Sequence, residues 1–178
     1  KFVAIKQGSQ EIAYSEDGVT WVQVLLGMPN TNTWTNIVFG NGRFVAISPL
    51  HADIAYSLDG RNWTLVTSAL VDNRPLKIAY GQGMFVVSST STNELSYSED
   101  GVYWPSGGYT LSNTYTSGIK GLCFGNPGRT PKFVGFQNSS GTAVLNAKIG
   151  ATTKGRVGVA NEQVFEVRIT DPGSGYGS

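Results

Sequence analysis

The feature that most constrains this chain is a turn motif that returns at a nearly fixed spacing. It reads Tyr14-Ser15-Glu16-Asp17-Gly18-Val19-Thr20-Trp21, then Tyr56-Ser57-Leu58-Asp59-Gly60-Arg61-Asn62-Trp63, then Tyr97-Ser98-Glu99-Asp100-Gly101-Val102-Tyr103-Trp104. The three Asp residues are separated by 42 and 41 positions. A second motif precedes the turn: Phe39-Gly40-Asn41-Gly42-Arg43-Phe44-Val45-Ala46-Ile47 matches Tyr80-Gly81-Gln82-Gly83-Met84-Phe85-Val86-Val87. Phe2-Val3-Ala4-Ile5 is the tail of an earlier copy, and Phe124-Gly125-Asn126 with Lys132-Phe133-Val134-Gly135-Phe136 is a later one. That later copy is interrupted by an insertion holding Pro127 and Pro131. Two motifs in register mean that each unit must bury its apolar face against the next.

One copy reads as four short strands. Asn36 to Phe39 is the first, ending at the turn Gly40-Asn41-Gly42, and Arg43 to Ser48 is the second, rich in β-branched and aromatic residues. Asp53 to Ser57 and Asn62 to Thr67 are the third and fourth, joined by an Asp-Gly turn of hairpin type. No stretch longer than a turn keeps helical spacing. Four-stranded units of roughly 40 to 45 residues are what a propeller blade requires. The expected fold is therefore all-β: a β-propeller-like array of four-stranded blades with a repeat of about 41 residues. A β-prism or an open stack of sheets is the competing architecture. The repeats occupy 1–149, as a partial blade 1–34, blades 35–75 and 76–118, and a degenerate blade 119–149.

The recurring turn has a mechanical reading. An Asp carboxylate can accept backbone N–H bonds inside the turn, while the following Gly takes a positive φ that a side chain disfavours. The Trp three residues past that Gly can fold its ring over the hairpin. Asp17, Gly18 and Trp21, Asp59, Gly60 and Trp63, and Asp100, Gly101 and Trp104 are thus expected to be structural. The competing reading, calcium ligands or catalytic acids, is disfavoured because each turn supplies one carboxylate and a metal needs several converging oxygens.

The pattern Ser-x-Asp-Gly-x-x-Trp resembles the Asp-box hairpin of sialidase-type and related propellers, shortened by one residue between Asp and Gly. The longer pattern, aromatic-Gly-Asn-Gly-x-Phe-Val-Ala followed by Ile-Ala-Tyr-Ser-x-Asp-Gly-x-x-Trp, resembles repeats of tailed-bacteriophage fibre and baseplate-associated proteins and of bacterial surface proteins. The resemblance covers roughly residues 1 to 149. It implies a scaffold and leaves activity open, because such hairpins serve proteins of many functions.

Beyond Ile149-Gly150 the pattern changes. Residues 151–159 and 164–169 alternate as strands, with Asn161-Glu162 as their turn, and Thr170-Asp171-Pro172-Gly173-Ser174-Gly175-Tyr176 forms a Pro-Gly turn with a glycine loop. The segment 151–178 is expected to begin a small Gly-rich β unit. Its ending resembles a "DPGSGY" β motif of tailed-phage structural proteins and large surface adhesins. The glycine loop has neither the following helix nor the Lys of a phosphate-binding loop. Lys1 lies inside a repeat and Ser178 inside a glycine loop, so the chain is expected to be a segment of a longer protein.

Composition narrows the function classes. Charged residues are 14%, against roughly 25% in ordinary soluble domains, and Gly reaches 23. A surface made polar by hydroxyls and amides suits extracellular and virion proteins. A net charge of +1 without a basic stripe gives no case for nucleic acid. No apolar run approaches the 18 or so residues that would insert in a membrane as a helix. Cys123, the only cysteine, sits in Gly-Leu-Cys-Phe-Gly and is expected to be a buried, inert thiol. No metal or other cofactor is expected.

The search for catalytic chemistry yields little. His51, the only histidine, lies in the loop Ser48-Pro49-Leu50-His51-Ala52-Asp53, and a triad would need partners brought to a shared pocket. The three arginines of a sialidase site cannot be picked out from Arg43, Arg61, Arg74, Arg129, Arg156 and Arg168, and no pair stands out among Asp53, Glu94 and Glu99. No catalytic residue is assigned. Aromatics outside the repeat frame are the binding candidates: Trp34, Tyr103, Tyr109 and Tyr115, which could stack on sugar rings or else pack against the neighbouring blade.

The function expected from these readings is a non-enzymatic structural or adhesion component of a virion, in a tail, fibre or neck appendage, supporting assembly or host-surface attachment. Its partners would be other virion or surface subunits, with glycans as a further ligand class, and its location the virion or cell surface. The alternatives are a carbohydrate-binding propeller module, a fragment of a sialidase-like hydrolase, and an Asp-box propeller that assists assembly of membrane complexes.

Overall fold

The structure, a computed structural model, describes residues 1–66, 75–89, 94–105, 109–110, 121–125, 132–137, 147–149 and 163–169. The described residues contain strands and turns and no helix. The first sheet holds β1 (Phe2–Ile5), β2 (Ile12–Ser15) and β3 (Val22–Val24). The second holds β4 (Asn36–Gly40), β5 (Arg43–Ser48), β6 (Asp53–Ser57) and β7 (Thr64–Val66), and the third holds β8 (Pro75–Gly81), β9 (Met84–Ser89), β10 (Glu94–Ser98) and β11 (Tyr109–Thr110). Both follow chain order, with every neighbouring pair antiparallel. The meander expected from one repeat is the meander that forms.

The fourth sheet contains β12 (Gly121–Gly125), β13 (Lys132–Gln137), β14 (Ala147–Ile149) and β15 (Gln163–Ile169), in the order β12-β13-β15-β14. The strand expected at 164–169 is present as β15. It lies between β13, to which it is antiparallel, and β14, to which it is parallel. This sheet therefore draws on both sides of the boundary set at residue 150. The strand expected over 151–159 falls outside the described residues.

Local chemistry explains each turn. Between β4 and β5, Asn41 and Gly42 take φ of 45° and 75°; between β8 and β9, Gln82 and Gly83 take 50° and 79°. Two consecutive positive φ values define the hairpin turn whose twist matches the strands it joins. The connection after the third strand differs from the tight hairpin expected. β7 begins at Thr64, so residues 58–63 form a six-residue loop where the expected strand bounds left four residues, 58–61. The reason is the Asp side chain, which organises the backbone on both sides of itself, as shown below.

Period-two alternation sends the two faces of the second sheet to different neighbours. Phe44, Ala46, Ala55 and Trp63 join a core with Ile12, Met28 and Trp34, packed by Val3 and Ile5 of the first sheet. Val45, Ile47, Ile54 and Val66 join Ile78, Phe85, Val87 and Trp104 of the third. Successive sheets are thus stacked face to face.

Glycine sets how closely they stack. A Cβ on Gly40 would lie 2.2 Å from the ring of Tyr80, and one on Gly81 would lie 2.1 Å from the ring of Phe124. The aromatics of β8 and β12 thus rest on the bare backbone of β4 and β8 respectively. Gly40→Val is expected to cost about 1–3 kcal/mol, the range for overfilling a packed interior. Denaturant unfolding at neutral pH measures it, and an unchanged midpoint would contradict this stacking.

Candidate functional site

Each recurring Asp is held by the same set of donors. Asp17 Oδ1 accepts from the backbone N–H groups of Val19 and Thr20, both at 2.8 Å, and from the Ser15 hydroxyl at 2.8 Å. Asp59 Oδ1 accepts from the N–H groups of Arg61 and Asn62 at 2.8 Å and from Ser57 at 3.0 Å. Asp100 Oδ1 accepts from Val102 and Tyr103 at 2.8 Å and from Ser98 at 3.0 Å. The same serine oxygen accepts the N–H of the following glycine, at 2.8 Å in all three turns. Gly18, Gly60 and Gly101 take φ of 82°, 75° and 72°.

The Trp ring then folds back over the turn. Trp21 Nε1 donates to the Gly18 carbonyl at 3.3 Å, and Trp104 Nε1 donates to that of Gly101 at 3.2 Å. The glycines also carry contacts between sheets, since a Cβ on Gly60 would lie 2.6 Å from Val3, and one on Gly101 equally close to Val45.

These bonds favour the ionised carboxylate. The N–H groups of Thr20 and Val19, with the Ser15 hydroxyl, hold the Asp17 carboxyl below its usual 3.8, at about 2. At Asp59 burial opposes ionisation, but the Asn62 and Arg61 N–H groups, the Asn62 amide and the Ser57 hydroxyl outweigh it and lower the pKa. At Asp100 the same opposition is overcome by Tyr103, Val102 and Ser98, with the positive charge of Arg43 adding to them. Among the described residues no three His, Cys, Asp or Glu side chains converge on a point where a metal could sit.

The off-frame aromatics do not form one surface. Trp34 is 0% exposed, its Nε1 directed at the Asn30 carbonyl 3.3 Å away, so its ring is core and has no face for a sugar. That corrects its assignment as a binding residue: the loop 27–35 folds inward and caps the face of the second sheet beside Trp63. Tyr103 is 68% exposed at the outer end of the third turn. Tyr109 lies in β11 opposite Leu95, and Tyr115 falls outside the described residues. His51 is exposed in its loop. Arg61 stacks on Tyr14, 4.2 Å from the ring centre, and Arg43 lies 5.6 Å over Tyr56, so these two guanidinium groups do not converge. Cys123 is exposed rather than buried. It occupies the repeat position of Val38, which packs on the core shared with the following sheet, and of Ala79, which is buried, and among the described residues no sheet follows the fourth.

The accessible site that sequence reasoning missed is the outer face of the first sheet. Trp63 and Trp104 are 8% and 5% exposed, whereas Trp21 is 46% exposed. It lines an open groove of about 350 Å³ with Ala4, Ile5, Ala13, Lys6, Glu11 and Gln23, among others. Glu11 accepts from Lys6 at 3.0 Å and from Gln23 at 3.0 Å, so the groove also carries a hydrogen-bonded polar group. The signal in the sequence was substitution at equivalent positions: Leu65 becomes Gln23, Ser48 becomes Lys6 and Asp53 becomes Glu11.

The stacked meanders and their Asp-centred turns define a propeller-type β array. Among solved structures the chain is similar to one titled "YCF48 bound to D1 peptide", with a TM-score of 0.50 and 17% identity over 74% of this chain. The alignment covers 41% of that chain, less than half its length, and at this identity the likeness concerns the fold. No protein-family model and no curated protein matches the chain.

The lowered pKa of Asp17 fixes a pH dependence. A carboxyl with a folded pKa below its unfolded value stabilises the fold above the unfolded pKa, near 4, and loses that effect as pH falls towards the folded value. Stability should hold from neutral pH to about 4 and decline between about 4 and 2, following the Asp17 pKa of about 2. Asp17→Asn should flatten part of that decline in denaturant titrations at stepped pH. Equal slopes in the two proteins would rule the carboxylate out as the source.

Proposed function

We infer that the chain is a non-enzymatic scaffold module of a virion or cell-surface assembly, supporting assembly or host-surface attachment. The observation that carries this reading is the contrast among the three turns. All three carboxylates are committed to their own backbone, while only the first turn leaves its indole open. The low charge and the resemblance to phage fibre and baseplate repeats support the location. An unfilled sheet face with aromatic side chains supports a binding role, since exposed apolar patches on stable proteins mark interaction sites.

The test is where the protein resides and what it does to candidate substrates. Mass spectrometry of purified particles and of cell-surface fractions should recover the chain in one of them, and glycoside substrates should remain intact on incubation. Recovery only from the cytosol, or steady glycan turnover, would sink the reading.

A second reading has a specific observation behind it. An indole beside Lys6, Glu11 and Gln23 offers a stacking face with hydrogen-bonding groups at its edge, the combination that holds a sugar ring. On a glycan array, Trp21→Ala should then lose about tenfold or more in affinity, the scale of one lost aromatic contact. Identical binding by the variant would leave only protein partners. The likeness to a propeller protein whose structure carries a bound peptide supports a peptide as partner.

A further inference from the structure

Asn41 is the only asparagine of the chain that is followed by glycine. The pair makes the two-residue turn between β4 and β5, with φ of 45° and 75°, and both residues are exposed. A Cβ built on Gly42 would meet nothing within 4 Å, so the space around the pair is open. The strand ladder closes where Gly40 lies opposite Arg43, which leaves the Gly42 N–H outside it. The matching turn of the third sheet holds Gln82 and Gly83, at 50° and 79°, and Gly83 is equally unhindered. In the fourth repeat the sequence equivalent is Asn126-Pro127, whose second nitrogen carries no hydrogen. Of these three pairs, only Asn41-Gly42 sets an asparagine amide beside a peptide N–H with no side chain to shield it.

The Asn41 side chain also reaches the next sheet. Its Nδ2 donates to the Glu99 carbonyl at 3.1 Å, beside Asp100 in the turn of the third sheet. The amide therefore ties the β4–β5 hairpin of one sheet to the Asp-centred turn of the next. Arg43, two residues on, lies 5.6 Å over Tyr56, and its positive charge favours the ionised Asp100. One hairpin thus links the second and third sheets at this end through two side chains.

We propose that Asn41-Gly42 is a self-modification site, where the amide tying the second sheet to the third is converted into a carboxylate. The Gly42 nitrogen attacks Asn41 Cγ and closes a succinimide ring. The Cγ–Nδ2 bond breaks, and ammonia leaves with the proton from Gly42. Water then opens the ring. Opening at Cγ leaves aspartate at position 41, while opening at the main-chain carbonyl leaves isoaspartate, with the chain running through the former side chain. One water is consumed and one ammonia released, with no oxidation or reduction. Both products lose the donor to Glu99 and carry an ionised carboxylate that can only accept hydrogen bonds. Isoaspartate also lengthens the backbone of a two-residue turn whose length fixes the strand register. The inference stands apart from the scaffold reading, because it needs no partner.

The experiment incubates the folded full chain in heavy-oxygen water at mildly alkaline pH and locates the incorporated oxygen by peptide mass spectrometry. Label is expected at position 41 sooner than at any other asparagine, with none at Gln82. Gln82→Asn, which puts the same pair into a turn of the same geometry, should take up label at 82. An unlabelled position 41, or one labelled no faster than the other asparagines, overturns the proposal. So does an unlabelled turn in Gln82→Asn. Urea unfolding reads the consequence for the sheets. Asn41→Asp, which makes one product directly, should unfold at a lower midpoint at neutral pH with an unchanged slope. A midpoint equal to that of the starting chain would overturn the tie between the sheets.

Discussion

The packing of an aromatic ring on a bare glycine backbone is the contact on which the array depends. It recurs at Gly40 with Tyr80 and at Gly81 with Phe124, while Gly60 on Val3 and Gly101 on Val45 repeat the principle at the turns. Such contacts bring successive sheets close enough for Val45, Ile47, Phe85 and Val87 to share one core. A side chain at any of these glycines would hold two sheets apart, and the apolar faces between them would lose much of their burial. The period of the repeat is therefore a packing distance as much as a sequence habit.

The Asp-centred turn supports this arrangement without taking part in chemistry of its own. One carboxylate oxygen gathers two N–H groups and a hydroxyl, and the serine oxygen adds the glycine N–H. Three backbone N–H groups of the six-residue loop, those of Gly60, Arg61 and Asn62, are thereby satisfied locally, which lets the loop lie against a neighbouring sheet. The Trp ring, folded onto the glycine carbonyl in the first and third turns, presents an apolar face to whatever comes next. In the second and third sheets, what comes next is the protein's own core. In the first sheet it is an open groove, and there the same residue type changes role through its surroundings alone.

Much of the fold was legible because period-two alternation and the glycine punctuation act over a few residues. β5 and β6 have the bounds expected of them, and the Asn41-Gly42 turn has the geometry that its residue types favour. The fourth strand began two residues later than expected, because the N–H groups of Arg61 and Asn62 donate to the Asp59 carboxylate and are drawn into the loop. Trp34 and Cys123 were misplaced for another reason. Whether a loop aromatic turns inward, or a strand thiol is covered, depends on the element packed beside it, and no local pattern encodes that. Trp21 was legible as a turn residue but not as an open one.

The sequence by itself determined the unit: four strands, their register, and a turn that fixes its own carboxylate. Each rests on interactions between residues close along the chain or locked by a short hairpin. Only the tertiary structure decided which faces are core and which are surface. Trp21, Trp63 and Trp104 stand in equivalent positions, yet one is open and two are buried. Exposure belongs to the neighbouring sheet, so a repeat that specifies itself fully still leaves its ends to be defined by what stacks against them.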